Sequence, residues 1–187
     1  MEGKVHTESG SIVLGLLASQ YVAGLEQHPS PQSIYWSHFS EGTMMLHLQP
    51  ARVLGIFTDA ISKRLSPEAA RGARALNDMF RSRWADHNIQ IQLDTVEDYL
   101  RNNEHFTGTK DIGLGDVRFP SCPHSHQQFM MLFPISAALD GFRKGEFSIG
   151  PNTRRWVDAM RQRPAYRNAI ERQSEEEAKI RESAAKL

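Results

Sequence analysis

The residues best equipped for chemistry lie close together at Cys122-Pro123-His124-Ser125-His126, a thiol and two imidazoles within five positions. Such a cluster can hold a metal or supply a nucleophile and its base. Structural zinc ordinarily takes four ligands, and no second cluster of matching spacing occurs, His105 being the nearest further candidate in sequence, so no metal site is expected. Acid–base work by His124 or His126 is the sharper reading, since imidazole titrates near neutral pH. Its plain alternative is a pair of solvated histidines leading into a helix cap. His38 and Glu41 lie close to one helical turn apart and could act as an acid–base pair, or could belong to a helix-packing pattern. Met44, Met45, Met130 and Met131 could line an adaptable apolar pocket, although methionines at helical spacing more often fill a core.

The elements that must position these residues read as helices. Ile12, Val13, Leu16, Leu17 and Val22 suit a short helix over 11–23 that Gly24 ends. After the stiff turn His28-Pro29-Ser30-Pro31, the spacing of Tyr35, Phe39, Gly42 and Leu46 predicts a second helix with those residues on its buried face. Ser66-Pro67 opens the longest helix, with stripes of Leu76, Phe80 and Trp84, then Ile89, Leu93, Val96 and Leu100. Between Thr107 and His124 glycines and prolines interrupt any period, which predicts an extended loop. Ser125 and Gln128 have capping-box spacing ahead of a helix through Phe129, Leu132, Phe133 and Ala137, kinked at Pro134. Pro151 starts a helix with Trp156, Val157 and Met160 inside, and Arg163-Pro164 divides it from a last helix through Tyr166 and Ile170. A strand is conceivable only at Lys4-Val5-His6.

The bulk properties narrow the function classes. The chain has 187 residues, 40% hydrophobic, enough for one core. Lys+Arg and Asp+Glu both number 22, so no global field recruits a polyanion, and nucleic acid is not an expected partner. The single Cys122 allows no internal disulfide and no secretory leader pattern is present, which implies a cytoplasmic location. The longest apolar stretches, at 12–17 and 129–138, are interrupted or fall short of the roughly 20 residues a membrane span takes, so no membrane partner is expected.

Four stretches in order resemble the glutathione S-transferases (GSTs). Thr7-Glu8-Ser9-Gly10-Ser11-Ile12-Val13 resembles the end of their thioredoxin-like domain. Tyr35-Trp36-Ser37-His38-Phe39-Ser40-Glu41-Gly42-Thr43 is similar to the first long helix of their helical domain. Ser125 to Pro134 resembles the buried helix opened by the family's capping box, and Pro151 to Trp156 followed by Arg163-Pro164-Ala165-Tyr166 is similar to the penultimate helix and its exit. The resemblance implies an all-α fold, a bundle of five to seven helices like the GST C-terminal domain, over 25–174. Residues 1–24 would be a remnant of the thioredoxin-like domain and 175–187 a charged tail.

Two departures from the family pattern shape the functional expectation. The βαβ unit carrying the thiolate-stabilising Tyr, Ser or Cys would lie upstream of Met1, so the resemblance assigns that role to no residue of this chain. Glu8 and Ser9 match the positions that hold the γ-glutamyl carboxylate of glutathione at a helix start, or Ser9 simply caps that helix. Glutathione is thus a possible ligand whose site is mostly absent, and no cofactor is required. The second departure is the insertion 109–124 after Phe106-Thr107-Gly108. The implied function is a GST-like protein that binds a hydrophobic small molecule through Tyr35, Phe39, Met45 and Tyr166. His38, His124 and His126 are its candidates for isomerisation, cyclisation or elimination, with little or no conjugation. The alternatives are a noncatalytic GST-like binding or assembly module, or a truncated gene model of a full glutathione transferase. The family habit implies a homodimer, with the helix over 35–49 against the partner.

Overall fold

The computed structural model describes residues 25–26, 28–116, 132–140 and 146–184. The first helix among the described residues, α1 (Pro31–Phe39), begins where Ser30 adopts an extended conformation and its hydroxyl accepts the Ser33 N–H at 3.1 Å, with Pro31 in the first turn where no amide is needed. A π-turn over Ser40–Met44 carries the chain into α2 (Met45–Ser62). Ser66 and Pro67 repeat the Ser-Pro start for α3 (Pro67–Phe80), which runs through a second π-turn, Arg81–Ala85, into α4 (Asp86–Leu100). The remaining helices are α5 (Leu132–Asp140), α6 (Pro151–Gln162) and α7 (Pro164–Ala184). Among the described residues no named strand occurs; Leu25 and Ile112 form an isolated parallel bridge, with the Glu26 N–H donating to the Ile112 carbonyl at 2.7 Å. The fold is an all-α bundle, and no helix is long and apolar enough to cross a membrane among the described residues.

α4 is the spine of the bundle. Ile89, Leu93, Val96 and Leu100 recur at helical spacing and are all buried, packed in one core with Trp36, Met44 and Leu48 from the first two helices and with Trp156, Val157 and Met160 from α6. Each such side chain contributes about 1.5–3 kcal/mol relative to exposure. The stripe read for α4 and the inner face read for α6 are therefore the ones the structure buries.

The face read for the second helix is not. Tyr35 and Leu46 are exposed, and the buried set is Ser33, Trp36, Ser37, Ser40, Met44 and Leu48. Three serines hold core positions because the neighbouring backbone is close: the Ser33 hydroxyl accepts the Gly115 N–H at 3.1 Å and the Ser37 hydroxyl donates to the Ile34 carbonyl at 2.9 Å. Likewise Leu76 in α3 is 58% exposed, Phe80 and Trp84 being half-buried. Met44 is fully buried core.

Helix α6 has no capping side chain of its own, since Gly150 stands at its N-cap. Glu97 of α4 does the work from 55 residues away: one oxygen accepts the Asn152 N–H and side-chain amide at 3.1 and 2.7 Å, the other the Thr153 N–H and hydroxyl at 2.8 and 2.8 Å. The absence of a side chain at Gly150 permits this approach, because a Cβ there would lie 2.2 Å from the Glu97 carboxyl carbon. Burial alone raises the Glu97 pKa, but the four bonds from Thr153 and Asn152 outweigh it and hold the carboxyl below 4.5. A carboxylate with a depressed folded-state pKa stabilises the fold above its unfolded value and loses that contribution as pH falls through the folded one. Glu97→Ala is expected to cost about 1–3 kcal/mol in urea unfolding at neutral pH, and the difference from wild type should shrink as pH is lowered below 4.5. Gly150→Ala should cost a similar amount, and the double variant clearly less than the sum, because both changes break one cap. Additive losses would separate Gly150 from Glu97.

Candidate functional site

The C-terminal half of α1 stands on a cluster of aromatic rings. Trp36 is 2% exposed, with ring centroids 5.0 Å from Phe106, 4.6 Å from Tyr99 and 5.0 Å from Phe39. Phe106 in turn meets Trp156 of α6 edge-on at 4.8 Å. Tyr35 lies edge-on to Trp36 at 5.2 Å and 6.0 Å from Phe39, yet is 52% exposed. Two of the residues expected to touch a ligand, Tyr35 and Phe39, are thus brought together on one aromatic support.

The other expected residues are placed as follows. Met45 is half-buried on the first turn of α2, and Tyr166 is half-buried and packed against the main core from α7. His38 and Glu41 are both exposed. Glu8, Ser9, Cys122, His124, His126, Met130 and Met131, together with the capping pair Ser125 and Gln128 and the strand and helix read over 4–23, lie outside the described residues. Among the described residues no group of three or more potential ligands gathers for a metal.

The loop after α4 proves to be structural over its first half. Ile112 through Asp116 are all buried, and Asp116, 0% exposed, anchors the segment. Its Oδ1 accepts the Phe106 N–H and the Trp156 indole N–H, each at 3.0 Å, and its Oδ2 accepts the Gly113 N–H at 3.2 Å. Gly115 is required for close approach: a Cβ there would sit 2.9 Å from that of Phe106 and 3.2 Å from that of Trp36. Burial raises the Tyr99 pKa above 10.0, and the nearby Asp116 charge raises it further. The Trp36 and Gln32 side chains oppose this only partly, since neither closes a hydrogen bond of full geometry to the Tyr99 oxygen.

Sequence reasoning also passed over His47. Its Nδ1 lies 3.0 Å from the Thr43 carbonyl and 2.8 Å from the Gln92 amide, and its ring is 4.7 Å from that of Trp84. That nitrogen accepts the Gln92 side-chain N–H in one tautomer and donates to the Thr43 carbonyl in the other. His47 thereby pins α2 to α4. Histidine within an apolar helix pattern carries no spacing signal of such a role.

The order of the helices and the aromatic cluster under α1 define an all-α bundle like the C-terminal domain of GSTs. The chain is similar to Glutathione S-transferase 3 of Schizosaccharomyces pombe, 26% identical over 183 residues that cover 91% of this chain. The chain spans 64% of that relative's length. No family model and no solved structure matches the chain.

The cluster makes Asp116 a support of the site rather than part of its surface. Asp116→Ala leaves three buried donors without an acceptor, and is expected to destabilise the fold by at least about 3 kcal/mol and to loosen Tyr35 with it. Thermal unfolding followed by Trp fluorescence checks this. An unchanged melting temperature would show that the 112–116 segment is not part of the core.

Proposed function

We propose that this GST-like protein binds a hydrophobic small molecule against the Tyr35–Phe39 face of α1, with glutathione conjugation by the 187-residue chain weak or absent. The observation that supports this reading is Tyr35 itself, an aromatic ring half in water but braced edge-on by a fully packed Trp36. A stiff aromatic platform of this sort binds apolar rings at small cost in side-chain entropy. His38, three residues along and open to solvent, is the acid–base candidate of this face. Met45 and Tyr166 are further ligand contacts in the same proposal, and His124, His126 and the glutathione-carboxylate positions Glu8 and Ser9, outside the described residues, keep the roles that the resemblance and the residue chemistry suggest. A cytoplasmic location and a homodimer complete the reading. Leu46, 54% exposed in the first turn of α2, is the proposed contact with the partner.

Thiol conjugation with chlorodinitrobenzene by the purified chain is expected to be negligible, and turnover comparable to that of an ordinary GST would overturn the reading. Naphthalene-type ligands should quench Trp fluorescence saturably, and Tyr35→Ala should weaken them about tenfold. Retained binding in that variant, with the fold intact by circular dichroism, moves the site away from α1. Light scattering should give twice the chain mass for wild type and the monomer mass for Leu46→Glu. A monomeric wild type removes the dimer from the proposal.

A further inference from the structure

A groove of about 500 Å³ runs between α2 and α3, apart from the Tyr35–Phe39 face. Leu54, Phe57 and Ile61 form one wall and Ala73 and Leu76 the other, while Arg64 in the connecting turn closes one end. Phe57, Ile61 and Leu76 are half or more exposed, so the walls stand open to solvent. The volume lies within the roughly 300–1,000 Å³ of cavities that hold small molecules.

The polar end is defined by charge. Over 59–74 the sequence carries Lys63, Arg64, Arg71 and Arg74 against Asp59 and Glu68, two positive charges in excess (4 − 2) in a chain whose whole balance is zero. Arg64 lines the groove and, like Lys63, Arg71 and Arg74 of the same segment, pairs with no carboxylate among the described residues. An apolar slot that ends at one unpaired guanidinium is complementary to a molecule with an apolar tail and an anionic head. A second copy is the poorer occupant. Two-fold packing over this face would set the same net-positive segment against itself, leaving Arg64 to be buried without a counter-charge.

We propose that the α2–α3 groove is a separate binding site for a single-chain amphipathic carboxylate of the medium-chain fatty acid class, with the tail between Phe57 and Leu76 and the head on Arg64. The site does not depend on the proposed role of Tyr35. Calorimetric titration of the intact chain with laurate should give saturable binding with one ligand per chain. Arg64→Gln should weaken laurate about tenfold and leave dodecanol unchanged, since only the anion loses a charged partner. Ala73→Phe, which fills the groove, should abolish both, and Phe57→Ser, at a residue 66% exposed, should weaken both without touching the core. Circular dichroism melts of each variant confirm the fold. The proposal is overturned if laurate affinity is indifferent to Arg64→Gln and Phe57→Ser. It is equally overturned if Tyr35→Ala alone removes laurate binding, which places the ligand on the other face. Light scattering that shows Ala73→Phe splitting a dimer, with no laurate bound to wild type, gives the groove to a second copy instead.

Discussion

A single carboxylate, that of Asp116, ties three separate parts of the chain to one point. It accepts the Phe106 amide at the exit of α4, the indole of Trp156 in α6 and the Gly113 amide of its own loop. Through Gly115 the same loop reaches the Ser33 hydroxyl on α1. A buried acceptor of this strength cannot be exchanged for an apolar group without leaving several donors stranded, so the loop, α1 and α6 are specified jointly rather than in pairs. The ring cluster of Trp36, Tyr99, Phe106 and Trp156 is packed around that point, and the exposed ring of Tyr35 inherits its position from it.

The bundle therefore separates rigidity from contact. Its interior is fixed by α4 and the Asp116 loop, while the residues open to a ligand or a partner stand on the outer faces of α1, α2 and α3. Exposed large apolar residues are numerous there, among them Ile56, Phe57, Leu76 and Met79. Soluble proteins seldom leave contiguous apolar patches of more than a few hundred Å² without a use for them.

How legible this was depends on where the periodicity was written in apolar letters. Ile89, Leu93, Val96 and Leu100 keep an unbroken helical period, as do Trp156, Val157 and Met160, and both faces could be read directly. Ser66-Pro67 likewise marked its helix start by local chemistry alone. The first helix misled because its inner face carries Ser33, Ser37 and Ser40, while Tyr35 and Leu46 on the outside are the residues that look buried. The π-turn at Ser40–Met44 adds a further shift, since one extra residue in a turn changes the phase of everything beyond it. The site was legible only where it was local: Tyr35 and Phe39, four apart on one helix, do share a surface. Asp116, Glu97 and His47 act on partners far along the chain, and nothing in their spacing announces that.

The remote cap on α6 bears on the order in which the molecule assembles. Helices α1 and α3 carry their own Ser caps and Pro starts, so the information for their first turns is complete within four residues. The corresponding information for α6 is divided between Gly150 and the Glu97 carboxylate of α4, 55 residues before the Asn152 amide it accepts. Helix initiation is the costly step, and here it must wait for a loop closure that brings Glu97 to the site. During synthesis from the N-terminus, α4 is already out when Pro151 emerges, so the template for the late helix precedes it. Circular permutation that placed α6 ahead of α4 would reverse that sequence of events while leaving every native contact in place.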